Sequence, residues 1–147
     1  MGHCPDMSEY EQRAARYEAE LRAEGVRITR QRRALLRVLA EANDHPDASE
    51  LYHRVVTRDR SVALSTVYRT LATLENRGVI HRLEFDDGRA RFEHADRQHH
   101  DHLIDMETGQ VIEFRSEAIE RLQAEIAAEL GYKIIRHKLQ LYGMKRS

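Results

Sequence analysis

The sequence has 147 residues, of which 33% are charged and 6% are aromatic, and it contains no tryptophan. This composition is typical of a soluble, helix-rich protein and argues against a fibrous or membrane protein. The chain has no run of about 18 apolar residues and no N-terminal secretory pattern, so we expect a cytoplasmic protein without a membrane partner. Its single cysteine, Cys4, lies in a segment expected to be disordered, which excludes an intramolecular disulfide and a thiolate metal cage.

The net charge of −1 gives no support to nucleic-acid binding, because proteins that bind polyanions strongly usually carry an excess of basic residues. The charge along the chain is less even than this total suggests. Five arginines fall within eleven residues that contain no acid: Arg27, Arg30, Arg32, Arg33 and Arg37. A solvated helix face explains such a cluster as well as a nucleic-acid contact does, so the arginines need support from the rest of the chain.

Three helices are predicted in the first part of the chain, each beginning at a side chain that can accept a hydrogen bond from the first helical turn. Ser8 begins a helix over residues 8–24 that is rich in Glu, Ala, Arg and Leu. Thr29 begins the second helix, and Asp47 begins the third after the break at Pro46. Leucines and valines recur on one face of the second and third helices, which predicts a common core.

A fourth helix is predicted from Ser65 to about Arg77, with Gly78 at its end. Its two faces differ sharply in polarity. The inward face is apolar and consists of Val67, Leu71 and Leu74. The outward face carries hydrogen-bond donors and no acid, and it consists of Thr66, Arg69, Thr70, Thr73 and Arg77.

A β-hairpin is predicted after the fourth helix. Residues 79–85 alternate like a strand, Asp87-Gly88 is typical of a tight turn, and residues 89–93 return. Helices followed by such a hairpin are typical of a winged helix-turn-helix.

The remaining chain is predicted to combine three strands with one long helix. The strands cover residues 100–106, 110–114 and 132–142, and the helix runs from Ser116 to about Leu130. Three strands leave a sheet edge unpaired, and pairing with a second copy would cover it, so we expect a homodimer. The predicted fold is α+β, with an N-terminal winged helix-turn-helix domain over residues 1–94, a hinge over 95–98, and a small α/β dimerisation domain over 99–147.

Four consecutive residues, His99, His100, Asp101 and His102, are the most informative part of the sequence. Neutral imidazoles and carboxylates are the ordinary ligands of first-row divalent metals. In an extended segment, alternation sends His99 and Asp101 to one side and His100 and His102 to the other, so two separate sites can share one strand.

Further candidate ligands occur elsewhere along the chain: His45, Glu93, Glu113, Glu120 and His137. A site that used His45 and Glu93 would lie between the two predicted domains, because both residues belong to the first. A metal that binds only one interdomain arrangement shifts the population towards it, which is a physical mechanism for sensing. Nitrogen and oxygen ligands suit iron(II), manganese(II), cobalt(II) or zinc(II).

The sequence resembles the ferric uptake regulator family of bacterial metal-dependent repressors over nearly its whole length, from about Gly25 to Gly143. The resemblance depends on the order and spacing of four motifs, which are specific in combination. They are Thr29-x-x-Arg32, Ser65-Thr66-Val67-Tyr68-Arg69-Thr70-Leu71, His99-His100-Asp101-His102 and Val111-Ile112-Glu113-Phe114.

The resemblance implies a homodimer that, once loaded with metal, binds a pseudo-palindromic, double-stranded DNA operator and represses metal-uptake genes. Tyr68 and Arg69 match the family positions that contact bases in the major groove, and Arg27 matches one that enters the minor groove. The chemistry agrees, since arginine pairs bidentately with guanine and narrow minor grooves attract arginine. The other residues of these motifs assigned to the DNA surface are Thr29, Arg32, Ser65 and Thr66.

The resemblance also implies two metal sites, and their division agrees with the alternation along the histidine strand. The regulatory site between the domains corresponds to His45, Glu93, His100, His102 and Glu113. The second site corresponds to His99, Asp101, Glu120 and His137. The expected regulatory metal is iron(II) or manganese(II), and zinc is expected to substitute in vitro.

Some positions depart from the family pattern. Most members carry a cysteine pair where this chain has Asp105 and Thr108, so we expect no four-cysteine structural zinc. The same cysteines are absent from the alphaproteobacterial iron and manganese regulators that this chain resembles. Peroxide sensors of the family have aspartate at Glu93 and Glu113, and its zinc sensors normally have a cysteine in the regulatory site, so both alternatives fit less well.

Two functions outside this family are also considered. Two histidines and one carboxylate could form an iron(II) oxygenase triad or an open zinc hydrolase site, but this hypothesis leaves the arginine-bearing helix unexplained. A winged-helix module that binds DNA or protein constitutively would use its histidines only for structure. A metal-dependent regulator accounts for both features, so we predict no enzymatic activity.

Overall fold

The computed structural model describes residues 8–86 and 88–147. Cys4 and Asp87, the first residue of the predicted hairpin turn, lie outside the described residues. The chain divides into two compact units, Met1–Arg97 and Gln98–Ser147, and its elements form an α+β fold as predicted. No helix among the described residues has both the length and the apolar character that a membrane crossing needs.

Four helices make up most of the first unit: α1 (Glu9–Ala23), α2 (Arg30–Glu41), α3 (Ala48–Val56) and α4 (Leu64–Asn76). The predicted caps are correct at three of them, because Ser8, Thr29 and Asp47 each accept a hydrogen bond from a backbone N–H of the first turn. The fourth helix begins slightly earlier than predicted. Its N-cap is Ala63, which offers no side-chain acceptor, and Ser65 lies within the first turn.

The core of the first unit is formed by apolar side chains from all four helices and the hairpin. Its fully buried members include Leu21, Leu35, Leu39, Leu51, Val55, Val67, Leu71, Leu74 and Ile80. The prediction that Thr70 faces outward was wrong, since its side chain is only 2% exposed. Thr70 follows Val67 by three residues and precedes Leu74 by four, and both spacings place it on the apolar face.

Arg77, at the C-cap of α4, also departs from the predicted outward stripe. Its guanidinium donates hydrogen bonds to Glu20 at 2.7 Å and to Glu24 at 3.0 Å, and both carboxylates belong to the α1 region. These ion pairs join the end of α4 to α1. The outward surface of α4 therefore presents fewer basic side chains to solvent than the sequence predicts, because Arg77 is paired with acids of the α1 region.

The hairpin consists of β1 (Ile80–Glu84) and β2 (Ala90–His94), which pair antiparallel from Ile80 opposite His94 to Glu84 opposite Ala90. The segment before α3 also pairs with β2. The N–H of Phe92 donates to the carbonyl of Pro46 at 3.0 Å, and Asp47 forms an isolated bridge with Arg91. This contact fixes the segment around Pro46 beside the end of the hairpin.

The second unit contains a three-stranded sheet and one helix. The elements are β3 (Asp101–Asp105), β4 (Val111–Phe114), α5 (Glu117–Glu129) and β5 (Gln140–Gly143). The strand order is β4-β3-β5, with β4 antiparallel and β5 parallel to the central strand. Ser116 caps α5 as predicted, because its hydroxyl accepts a hydrogen bond from the N–H of Ile119.

The last strand is much shorter than the predicted strand over residues 132–142. Its parallel register begins with His102 opposite Gln140 and ends with Asp105 opposite Gly143. Residues before 139 would extend past the start of β3, where no neighbouring strand is available to accept their hydrogen bonds. Alternation of apolar and polar residues was therefore insufficient evidence for a strand here.

The turn between β3 and β4 is closed by the carboxylate of Asp105. Its Oδ1 accepts hydrogen bonds from the N–H of Glu107 at 2.8 Å and of Thr108 at 3.3 Å. The Glu107 hydrogen bond is the main cause that lowers the pKa of Asp105 below its ordinary value. An ionised carboxylate thus holds this turn.

Many large apolar side chains are exposed on the second unit. Helix α5 has no buried residue within the chain. The large apolar side chains exposed on this unit are Met106, Ile112, Leu122, Ile126, Leu130, Tyr132, Ile134, Ile135, Leu141 and Met144. So many exposed apolar side chains on a unit of this size are typical of a protein–protein contact surface.

Candidate metal centres and nucleic-acid interface

The second unit brings four candidate metal ligands together. They come from the segment before β3, the first residue of β3, helix α5 and the segment before β5, and they are His99, Asp101, Glu120 and His137. Each offers a ligand atom, and these atoms all lie within 4.8 Å of one another. We call this group the strand-start cluster.

The geometry of the strand-start cluster fits a tetrahedral cation. His137 Nε2 lies 3.1 Å from Asp101 Oδ1 and 3.2 Å from His99 Nε2, and the other three measured ligand-to-ligand distances are 3.4, 3.6 and 3.6 Å. A tetrahedral ion with bonds of about 2.0–2.1 Å places its ligand atoms about 3.3–3.4 Å apart. In addition, Glu120 Oε2 is buried and accepts no hydrogen bond from the described residues. The residues present therefore fit a bound divalent metal.

A second group in the same unit faces the other side of the strand and consists of His100, His102 and Glu113. His100 Nε2 lies 3.3 Å from Glu113 Oε2, and His102 is the direct cross-strand partner of Glu113. The two imidazole rings lie 4.8 Å apart between centroids. Residues directly opposite on antiparallel strands share one face, which explains why these side chains converge.

The tautomer of His100 also suits metal binding. Its Nδ1 lies 2.9 Å from the carbonyl oxygen of Gln98, and because a carbonyl can only accept, Nδ1 carries the proton. Nε2 then keeps its lone pair and points toward Glu113. A backbone hydrogen bond that orients the far nitrogen in this way is common for histidines that ligate metals.

The first unit brings together the other two predicted regulatory ligands. His45 Nε2 lies 3.9 Å from Glu93 Oε2, and the two side chains are only 7% and 9% exposed. Glu93 belongs to β2, and His45 precedes the Pro46 segment that pairs with this strand. This local pairing brings together two residues that are distant in sequence. An imidazole and a carboxylate in this arrangement form an incomplete ligand set, because first-row metals take four or more ligands.

The exposed surface of α4 carries the residues predicted to contact DNA bases. The side chain of Tyr68 is 55% exposed, and Arg69 and Ser65 are also exposed. The guanidinium of Arg69 makes one long hydrogen bond, from Nε to the Ser65 carbonyl at 3.4 Å, so most of its donors point to solvent. Such a side chain is available to reach a base edge in a groove.

Two arginines of the cluster form ion pairs with carboxylates, which reduces the positive charge that the cluster presents. Arg33 pairs with Glu18 of α1 at 2.8 Å, and Arg30 pairs with Asp59 at 3.4 Å. Sequence analysis missed these carboxylates, which lie at least 15 residues away from their partners along the chain. No local signal identifies such pairs.

Among the predicted DNA residues, Thr29 has a clear structural role as well, since its hydroxyl caps α2 through the N–H of Arg32.

Arg32 and Arg27 lie next to each other at the start of the cluster. Arg32 Nη1 donates a hydrogen bond to the carbonyl oxygen of Arg27 at 2.7 Å. Among the described residues, no carboxylate forms an ion pair with the side chain of Arg27. Arg27 thus contributes positive charge at the entry to α2.

Known proteins similar to this chain agree with the observed fold. The model of the ferric uptake regulator family matches residues 23–142. A ferric uptake regulation protein from Brucella abortus is 57% identical over 129 residues, which cover 88% of this chain and 92% of that protein. Another from Rhizobium leguminosarum is 52% identical over 120 residues, which cover 82% and 84%.

Two solved structures extend the comparison to three dimensions. A zinc-bound manganese uptake regulator superimposes with a TM-score of 0.73 at 48% identity and covers 88% of this chain and 98% of that one. The Helicobacter pylori ferric uptake regulator, described as having three functional metal-binding sites, has a TM-score of 0.85 at 28% identity, with coverage of 95% and 93%. The resemblance seen in the sequence is thereby confirmed, and so is the arrangement of an N-terminal DNA-binding domain before a dimerisation domain. The chain belongs to the ferric uptake regulator family and is a metal-responsive transcription regulator.

Proposed function

We propose that this chain is an iron(II)- or manganese(II)-dependent repressor of metal-uptake genes, acting in the cytoplasm as a homodimer on a pseudo-palindromic operator. The proposal depends on one observation, which is that the candidate ligands of the regulatory metal are divided between the two units. The second unit presents His100, His102 and Glu113, and the first unit presents His45 and Glu93. Neither group alone satisfies a divalent metal that prefers five or six ligands. One ion that used both groups would couple the units.

This coupling supplies the proposed regulation. An ion that binds both groups stabilises one arrangement of the two domains about the proposed hinge at residues 95–98, and the other arrangements lose population. In a homodimer, that arrangement sets the separation of two copies of α4. DNA affinity then depends on metal, because an operator with fixed half-site spacing accepts only one separation. A typical coupling of this kind changes affinity by about 5- to 150-fold.

The proposed DNA contacts divide into specific and positioning groups. Tyr68 and Arg69 on the exposed side of α4 would contact base edges, with Ser65 and Thr66 beside them. Arg27, Thr29 and Arg32, at the entry to α2, would contact the backbone and the adjacent minor groove. Arginine is suited to both tasks, since it pairs bidentately with guanine and enters narrow minor grooves.

The donor chemistry supports iron(II) or manganese(II) as the regulatory metal. All five proposed ligands are imidazole nitrogens or carboxylate oxygens, which suit these ions. Zinc binds the same donors with higher intrinsic affinity than manganese, so we expect it to occupy the site in vitro. A four-cysteine zinc is not part of the proposal, because Cys4 is the only cysteine in the sequence.

The homodimer is proposed from the apolar exterior of the second unit. Helix α5 buries no residue within its own chain, while Leu122, Ile126 and Leu130 along it are exposed. A second copy of the same unit would cover these side chains. We also propose that the strand-start cluster holds a second metal ion that joins α5 to the sheet.

Removal of metal tests the proposal as a whole. Fragments of the host genome that bind the manganese-loaded protein would be selected, and the affinity of one such operator would be measured by fluorescence anisotropy. We expect EDTA to weaken this affinity at least about tenfold and added manganese(II) to restore it. An operator affinity that EDTA does not change would instead indicate a constitutive DNA-binding module.

The strand-start cluster is tested by replacing His137 with alanine. The variant should lose one equivalent of zinc(II) per chain, because His137 lies within 3.2 Å of both Asp101 and His99. Metal content after gel filtration in zinc would be measured by plasma mass spectrometry. Lys138→Ala, an exposed neighbour without a ligand atom in the cluster, serves as the control. An unchanged zinc content in His137→Ala would remove the second metal site from the proposal.

A further inference from the structure

A buried histidine adjoins the first-unit ligand pair and is not part of it. His94 ends β2, directly after Glu93, and its side chain is 5% exposed. Its Nδ1 forms a short hydrogen bond with the hydroxyl of Tyr17 on α1, and its Nε2 lies 3.0 Å from the carbonyl oxygen of Ala42. Tyr17 is itself only 1% exposed. One imidazole thus connects three segments that are far apart in sequence.

The chemistry of these partners fixes the direction of both hydrogen bonds. The carbonyl of Ala42 can only accept, so Nε2 of His94 carries the proton. Nδ1 is then an acceptor and the hydroxyl of Tyr17 donates to it. Burial lowers the pKa of His94, which keeps the ring neutral, and burial raises the pKa of Tyr17, which keeps its hydroxyl protonated.

A second connection lies one helical turn earlier on α1. Arg13 donates to Asp96 from Nε at 3.0 Å and from Nη2 at 3.2 Å, and its Nη1 donates to the carbonyl of Ala40 at 2.9 Å. Arg13 therefore contacts the end of α2 and the segment that follows β2, while Tyr17 contacts the last residue of β2, His94, whose imidazole in turn reaches Ala42 after α2. We call these four residues, Arg13, Tyr17, His94 and Asp96, the α1 latch.

The α1 latch and its backbone partner Ala42 adjoin the ligand pair on both sides. Ala42 precedes His45 by three residues, and His94 directly follows Glu93. A buried polar network is costlier to fold than apolar packing unless every group is satisfied, and when satisfied it selects one geometry. Apolar residues at these positions would be sufficient for packing alone. The buried polar residues of the α1 latch therefore indicate a requirement for one fixed geometry at this end of the first unit.

We propose that Tyr17 and Arg13 are positioning residues for the regulatory metal, acting through His94 and Asp96 on the separation of His45 and Glu93. This inference rests on the proposed function, because it assumes that His45 and Glu93 are ligands. Groups that orient ligands from outside the coordination sphere typically change metal affinity by about 10- to 100-fold when they are removed. The latch gives α1 a role in metal sensing besides its place in the core.

Tyr17→Phe is the direct test. It keeps the ring in the core and removes the hydroxyl, which leaves Nδ1 of His94 without its donor. Manganese(II) titration of the full-length protein, followed by electron paramagnetic resonance, would measure affinity. We expect binding about tenfold weaker at the sites that His45→Ala abolishes. Tyr10→Phe, on the exposed side of the same helix, should bind manganese like the unaltered protein.

Two further measurements separate positioning from stability. Arg13→Gln should weaken the same manganese site without touching the core. Arg22→Gln, whose side chain is 60% exposed and pairs with Glu18 outside the α1 latch, should not. The ring nitrogens of His94 should show a single fixed tautomer by NMR in the unaltered protein and tautomer exchange in Tyr17→Phe. A lower melting temperature with unchanged manganese affinity in both Tyr17→Phe and Arg13→Gln would overturn the inference and leave the proposed function intact. Unchanged affinity in His45→Ala would overturn both.

Discussion

Replacing Arg69 with alanine should abolish specific DNA binding and leave metal binding unchanged. Arg69 lies on the exposed side of α4, and its guanidinium makes only one long hydrogen bond within the chain, to Ser65. A bidentate arginine–guanine pair contributes about 1–3 kcal/mol, and the proposed dimer contains two such pairs. The loss corresponds to at least about a 30-fold weaker operator affinity. Fluorescence anisotropy with operator and scrambled duplexes, beside a manganese titration, would measure both properties.

Two control variants sharpen this experiment. Arg69→Lys keeps the charge and loses the bidentate geometry, so it should retain non-specific binding and lose preference for the operator. Arg77→Ala removes another arginine from the same helix region, but its guanidinium is already paired with Glu20 and Glu24, so operator affinity should change little. Equal loss of DNA binding and metal binding in Arg69→Ala would contradict the proposal that Arg69 contacts DNA and takes no part in metal binding.

Replacing either His45 or Glu113 with alanine should abolish the metal response of DNA binding while the fold is retained. Glu113 lies 3.3 Å from His100 in the second unit, and His45 lies 3.9 Å from Glu93 in the first. Since groups outside the coordination sphere already affect affinity by up to about 100-fold, the loss of a direct ligand should weaken manganese binding at least that much. Operator binding measured across a manganese titration would then show no transition in the physiological range.

The comparison of these two variants tests the division of the ligand set. If one ion uses both groups, then alanine at His45 and at Glu113 should give the same phenotype although the residues belong to different units. His53→Ala, an exposed histidine of α3, controls for the loss of an imidazole. Circular dichroism would verify the fold of each variant. A normal metal response in both His45→Ala and Glu113→Ala would refute the regulatory-site assignment.

Local features of this fold were predictable from the sequence. Helix starts were correct at Ser8, Thr29, Asp47 and Ser116, because a cap depends on a side chain and the backbone within three residues of it. The grouping of the histidines followed from alternation along one strand. His99 joins Asp101 on one side, and His100 joins His102 on the other, as the pleat of a strand requires.

Features that depend on distant partners were not predictable. The strand expected over residues 132–142 is mostly irregular, because its extent depends on where β3 begins. The Tyr17–His94 hydrogen bond joins residues 77 positions apart, and neither residue type alone indicates the other. Sequence periodicity reports on one element and contains no information about such pairs.

The turn at Asp105 determines how the metal experiments are interpreted. Hydrogen bonds from backbone N–H groups to an oxygen close it, and neither chelation nor oxidation removes them. We therefore expect this corner of the sheet to stay folded in EDTA, so that a loss of operator affinity on chelation comes from the metal sites and not from this turn. Under peroxide stress the exposed thioether of Met106 beside the turn can be oxidised, but the hydrogen bonds that close the turn involve no sulfur, so we expect this corner to keep its backbone conformation.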